Sequence, residues 1–130
     1  YACMCANEAI VVVTLDLSSI RDCDRVVGLL MKKGMMDIQL IVNRMNNDYI
    51  QNQTTLSLKE AIEILSLPLL GVVYDDVSMI ASNNRGVPVF YDKTSSLGQC
   101  FSRIEKRLNG HHVPYQLKKK KRTISKLFWK

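Results

Sequence analysis

A parallel β-sheet with helices between its strands is the fold class that this 130-residue sequence predicts. Three observations carry it. Ala9–Leu15 (AIVVVTL), Asp37–Asn43 (DIQLIVN) and Leu69–Val73 (LLGVV) are apolar runs of strand length, rich in β-branched residues. They lack the strict in/out alternation of a sheet wetted on one face. The segments between them space their apolar residues as helices do.

The elements follow in order. Ser18 or Ser19 is expected to cap the first helix, with Asp22 near its first turn, where an acid favours a helix N-terminus. Ile20, Val26, Val27, Leu30 and Met31 recur at helical spacing, and Gly34 stops the run. After the second strand, Arg44 to Thr55 reads as a polar loop. Ser57-Leu58-Lys59-Glu60 is a capping box, which opens a helix carrying Leu58, Ile62 and Leu65 on one face. Pro68 ends that segment before the third strand. Asp75 and Asp76 open another short helix, which closes at Asn83-Asn84-Arg85-Gly86, and Pro88-Val89 is a connector. Thr94 or Ser95 caps a last helix with Leu97, Cys100, Phe101, Ile104 and Leu108, closed by Asn109-Gly110.

Three strands make a small sheet for this class, and the first already reads as a central one. Further strands are therefore expected on the N-terminal side of Tyr1, to cover Val11 to Val13. Without them the chain is expected to be poorly stable and prone to aggregation. Residues 1–110 are read as the body, 111–117 as a linker and 118–130 as a tail.

Charge separates tail from body. Residues 118–130, KKKKRTISKLFWK, hold seven positive charges and no negative one, while residues 1–117 carry 11 Lys+Arg against 12 Asp+Glu. The basic balance of the chain thus belongs to Lys118, Lys119, Lys120, Lys121, Arg122, Lys126 and Lys130. Ile124, Leu127 and Phe128 fall at i, i+3 and i+4, with Trp129 at their flank. A charge run alone reads equally as a solubilising end or a phosphate-binding strip for nucleic acid. The apolar stripe favours insertion into an anionic membrane surface, because a purely electrostatic binder gains nothing from it. No apolar run approaches the roughly 18 residues of a spanning helix.

Cys3, Cys5, Cys23 and Cys100 do not space as a disulfide framework, and no secretory signal reads within these 130 residues. Reduced, buried, inert thiols are expected. Cys3 and Cys5 with His111 and His112 do not have the spacing of a zinc site. No metal ligands and no catalytic residues are assigned.

Several segments in order resemble the C-terminal half of the MinD family of deviant-Walker P-loop ATPases. Ser18-Ser-Ile-Arg-Asp-Cys-Asp-Arg25 resembles its S-S-x-R-D-x-D-R helix, and Leu40-Ile-Val-Asn-Arg44 its strand ending in Asn-Arg. Leu56 to Leu65 resembles L-S-x-x-D-V-L-E-I-L. Leu69 to Val73 with Asp75-Asp76 resembles L-L-G-V-x-P-E-D, and Asn84 to Val89 resembles N-x-G-E-P-V. The tail resembles the family's membrane-targeting sequence. Leu15 and Tyr74 stand where the family has Pro, Ala81 stands where Arg is common, and Met45 to Thr55 lacks the usual Gly and Pro. The fold so implied is a parallel-sheet P-loop NTPase. No G-x-x-x-x-G-K-[ST] occurs in these residues, so the phosphate loop is absent and this chain alone is expected to be inactive.

The resemblance implies roles. Asn43 and Arg44 end a parallel strand on the edge where open α/β sheets bind ligands, and the family's matching Asn reads adenine. Asp75 and Asp76 reach the same edge, where they also suit helix capping. Ser18, Arg21, Asp22 and Asp24 match the helix that presents charges to the division inhibitor MinC and the regulator MinE. Lys118 to Arg122, Ile124, Lys126, Leu127, Phe128 and Trp129 would bind anionic lipid. The intact protein is then expected to use ATP and Mg²⁺ and to form an ATP-dependent homodimer. It would work in the cytoplasm at the inner face of a bacterial plasma membrane, keeping the division septum from wrong sites without binding nucleic acid. The alternatives are a relative that places flagella or partitions DNA, or a non-catalytic membrane- or nucleic-acid-binding module.

Overall fold

The structure, a computed structural model, describes residues 3, 5–115 and 117. Three parallel strands, β1 (Glu8–Val13), β2 (Asp37–Met45) and β3 (Leu69–Tyr74), lie in the order β1-β2-β3. Helix α1 (Leu17–Lys32) joins β1 to β2, while α2 (Asn47–Gln51) and α3 (Leu58–Leu65) join β2 to β3. Then come α4 (Ser78–Arg85), a 3-10 turn at Val89–Tyr91 and α5 (Ser96–Leu108). The parallel α/β class is as the sequence predicts.

Helix α1 buries Ile20, Cys23, Val27 and Leu30, one stripe at helical spacing. With Ala61 and Leu65 of α3, that stripe packs on Ile38, Leu40 and Val42 of β2 to form the main core. Val26 and Met31, expected in this stripe, are exposed. At about 100° per residue Val26 falls about 40° outside the stripe, beyond Leu30, while Met31 borders it about 20° beyond Ile20, in the last turn of the helix. The cap also differs. Asp16 holds the N-cap position, and its Oδ1 accepts the Ser19 amide at 2.8 Å. Ser18 and Ser19 are helical, and the Ser19 hydroxyl accepts the Thr14 amide at 3.1 Å. Asp22 therefore lies beyond the first turn.

The opposite face of the sheet is covered over β3. Leu97 and Ile104 of α5 pack on Leu70 and Val73, with Ile41 beside them. Gly71 permits this approach. The expected cover on both faces fails at β1, where Ile10 and Val12 are 43% and 59% exposed. Adjacent strands stand about 4.8 Å apart, so β1 lies about 10 Å from β3, and one helix about 10 Å wide does not reach both. Strands β1 and β2 accordingly do alternate, and β1 is the edge of the described sheet, the place where further strands are expected to pair.

Other boundaries shift. β1 ends at Val13, and Leu15 turns into the core. The capping box at Ser57 forms as expected: its hydroxyl accepts the Glu60 amide, and Glu60 accepts the Ser57 amide at 2.7 Å. Part of the expected loop 44–55 is α2, capped by Asn46, whose Oδ1 accepts the Asp48 amide at 3.0 Å. Ser95 rather than Thr94 caps α5. Cys23 and Cys100 are buried as expected, but Cys3 and Cys5 are exposed. Among the described residues no helix is long and apolar enough to cross a membrane.

Candidate nucleotide-site edge

The carboxyl ends of the three strands form a cleft of about 190 Å³, lined by Thr14, Asp16, Arg44, Asn46, Tyr49 and Asp75 among others. Crevices outside the carboxyl ends of parallel strands are where open α/β sheets bind ligands. A wider hollow of about 550 Å³ adjoins it, between Asp16, Gln53 and Ser57.

Arg44 shapes this edge through its backbone. Ile38, Leu40 and Val42 alternate inward along β2, so residue 44 should be next. Instead Arg44 takes φ +53°, and Met45 is buried in its place. The β2–β3 register breaks between Val42 and Met45, as a bulge requires. The guanidinium is thereby carried to the end of the sheet, where Nε lies 3.5 Å from Asp75 Oδ1. The Asp75 amide donates to Met45 O at 3.0 Å, which ties β3 to β2 beneath the pair. Both side chains are well exposed, so the pair is worth at most about 1 kcal/mol and its arginine can turn to a ligand.

Asp16 forms the opposite wall. Its carboxylate accepts from the Thr14 hydroxyl and the Ser19 amide, and these bonds hold its pKa below the ordinary value. The cleft so combines a cation, a fixed anion, the Thr14 hydroxyl, the Asn46 amide and the ring of Tyr49. Hydrogen-bonding edges beside an aromatic face suit a nucleoside. Scattered side-chain donors make no cradle for a triphosphate, which needs consecutive backbone amides of a glycine-rich loop.

Of the expected site residues, Arg44 and Asp75 come together in this cleft. Asp76 does not line it: its Oδ1 accepts the Ser78 amide at 2.9 Å, ahead of α4. Asn43 does not line it either, because alternation puts it on the Ile41 side of β2, half-buried. Thr14, Asp16, Asn46 and Tyr49 were not anticipated. The one signal for them was their position just past strands β1 and β2.

Ser18, Arg21, Asp22 and Asp24 are each exposed on α1, with Ser18 and Asp22 one turn apart and Asp24 about 160° round the helix from Asp22, and Arg25 approaches Asp22 at 3.7 Å. Leu29, 60% exposed, shares the outer side of the same helix, roughly opposite Ile20. The tail positions Lys118, Lys119, Lys120, Lys121, Arg122, Ile124, Lys126, Leu127, Phe128 and Trp129 lie outside the described residues.

A parallel sheet flanked by helices, with a cleft at its carboxyl edge, has the architecture of the nucleotide-binding α/β class. Within that class the chain belongs to the MinD family. It is 43% identical over 111 residues to a putative septum site-determining protein MinD of Emiliania huxleyi, covering 85% of this chain and 41% of that protein. It is 40% identical over 111 residues to the septum site-determining protein MinD of Synechocystis, covering 85% of this chain and 42% of that protein. Among solved structures it superposes on the MinC:MinD cell division protein complex of Aquifex aeolicus with a TM-score of 0.83 and 30% identity, over 86% of this chain and 46% of that one. MinD of Pyrococcus horikoshii complexed with Mg-ADP matches with a TM-score of 0.66 and 26% identity, over 80% of this chain and 42% of that one. No family model matches. The chain thus spans about two fifths of the curated relatives it matches.

Proposed function

We propose that this chain is the C-terminal part of a membrane-associated ATPase that positions the division septum. The observation that carries the reading is the likeness to MinD over 85% of the chain, together with a cleft on the sheet edge where that class binds nucleotide. The intact protein would bind ATP with Mg²⁺, and hydrolysis would supply the free energy that resets it. This chain's share is the nucleoside side of the pocket. Arg44 and Asn46 offer donors, Asp16 and Asp75 offer acceptors, and Tyr49 offers a face. The phosphate loop would come from residues outside these 130.

The outer surface of α1 would be the partner face. Ser18, Arg21, Asp22 and Asp24 supply charges for a MinC-type inhibitor or a MinE-type regulator, and Leu29 supplies an apolar anchor. The tail would hold the protein on the inner face of the plasma membrane. Each basic residue near an anionic surface contributes ~1 kcal/mol, and each buried large apolar side chain ~1.5–3 kcal/mol. Ordering about ten residues costs ~1–2 kcal/mol each, so one tail binds marginally. Two tails on a nucleotide-bound homodimer would strengthen binding by roughly 10²–10⁴.

Sedimentation with anionic vesicles tests this. With ATP the intact protein should bring a MinC-type inhibitor to the vesicles, and with ADP it should release it. Recruitment that ignores the nucleotide would show the reading to be wrong.

A further inference from the structure

Arg107, near the end of α5, reaches three backbone carbonyls at once. Its Nη1 donates to Leu70 O at 2.9 Å, Nε to Val113 O at 3.1 Å and Nη2 to Pro114 O at 3.2 Å. Its guanidinium carbon stands 4.1 Å from the centre of the Tyr115 ring, and the Tyr115 hydroxyl donates to Leu69 O. One planar fork thus joins a helix, the amino end of an edge strand and a segment that reads as mere linker in the sequence. Only arginine has donors in that geometry; a lysine ammonium is a single point. Leu117 continues along the same crevice, beside Val72, Tyr74 and Cys100. The segment is strapped to the body through Val113, Pro114 and Tyr115.

We propose that Arg107 is a positioning residue: it clasps Val113–Tyr115 against the amino end of β3 and so fixes where the basic tail leaves the body. Leu69 and Leu70 stand at one end of β3, and Asp75 of the nucleoside cleft follows its other end, roughly 20 Å away. Leu117 lies between these ends, so a tail that starts there leaves along the β3–α5 edge and turns α2, which borders Leu15 and Leu17 past β1, away from the surface it binds. A free linker would let the body tumble about its anchor. The clasp itself stands on the contacts above, while its consequence at a surface rests on the lipid-binding reading of the tail.

The test uses the intact protein with Arg107→Lys and Tyr115→Phe. Off the membrane, chymotrypsin should cut after Tyr115 slowly in the unsubstituted protein. It should cut at least about tenfold faster in Arg107→Lys, since hydrogen bonds to charged donors are lost. Tyr115→Phe, which keeps the stacked ring, should fall between. Equal cutting in all three would overturn the clasp. On phosphatidylglycerol/phosphatidylcholine vesicles, a fluorophore at His111→Cys should be quenched by headgroup nitroxides and one at Gln51→Cys should not, with Cys3 and Cys5 replaced by Ser. Arg107→Lys should bind vesicles within about twofold of the parent and lose that contrast. A contrast that persists after the strap has opened would overturn the orienting role. Failure of the parent to bind vesicles would sink the lipid reading and, with it, the orienting role, while the protease result decides the clasp alone.

Discussion

Ile104 Cγ1 lies only 2.3 Å from where a β-carbon on Gly71 would stand. Helix α5 can settle on β3 because that carbon is missing. Gly71→Ala should therefore lower the unfolding free energy by about 1–3 kcal/mol, the usual cost of overpacking a filled core. Urea denaturation of the intact protein reads this as a lower midpoint at unchanged slope. Combining it with Ile104→Ala, which removes both clashing carbons, Cγ1 and Cδ1, should cost less than the two single changes added together.

Arg44 separates stability from binding. Its left-handed backbone costs about 1 kcal/mol or more, and its exposed ion pair with Asp75 returns at most about that. Arg44→Gly removes both strain and pair, so the unfolding free energy should change by less than about 1 kcal/mol. Nucleotide affinity, measured by calorimetry on the intact protein, should fall about tenfold or more, as the loss of one charged hydrogen bond requires. A large stability loss with unchanged affinity would assign Arg44 to the fold instead.

Local chemistry and the parallel arrangement were legible in the sequence, and the individual contacts between distant residues were not. The Ser57–Glu60 box and the αL cap at Gly86 lie within a few residues and formed as read. The parallel arrangement that sets Asp75 on the same edge as Arg44 was read as well, but the cleft also depends on one backbone angle at Arg44, which leaves no mark on spacing. The strand Ala9–Val13 is apolar at every position, so its sequence cannot tell the covered face from the open one carrying Ile10 and Val12. The α1 cap was misplaced because Asp16, Ser18 and Ser19 are all good caps in sequence, and only the turn at Thr14 selects the first. The Arg107 clasp was invisible because it spans 37 residues to reach Leu70.

Acid should destabilise the fold through three hydrogen-bonded carboxylates, at Asp16, Glu60 and Asp92. The Thr14 hydroxyl, then the Ser19 amide, holds Asp16 below its ordinary 3.8. The Thr94 hydroxyl does the same for Asp92, and the Ser57 amide lowers Glu60 from 4.5. A carboxyl depressed in the folded state contributes stability that is complete above its unfolded value and lost as pH falls through the folded one. These groups should leave stability nearly flat from pH 7 to 5 and lower it below about pH 4. Urea midpoints across that range check it. Asp16→Asn retains a capping side chain and should flatten the acid slope while keeping α1.

The apolar residues of the tail, not its charge, should decide whether binding survives salt. Lys118 to Arg122 act through a field that is screened within about 8 Å at physiological ionic strength and 3 Å at 1 M. Phe128 and Trp129 act by burial, which salt does not weaken. Raising salt on anionic vesicles should therefore reduce binding of the ATP-bound intact protein to a plateau rather than to zero. Phe128→Ala with Trp129→Ala should remove that plateau, costing roughly 3–6 kcal/mol per tail if both rings are buried. Replacing Lys118, Lys119 and Lys120 with Gln should weaken low-salt binding and leave the plateau. A parent protein whose binding vanishes steeply with salt and then transfers to single-stranded DNA would mark the tail as a phosphate-backbone binder instead.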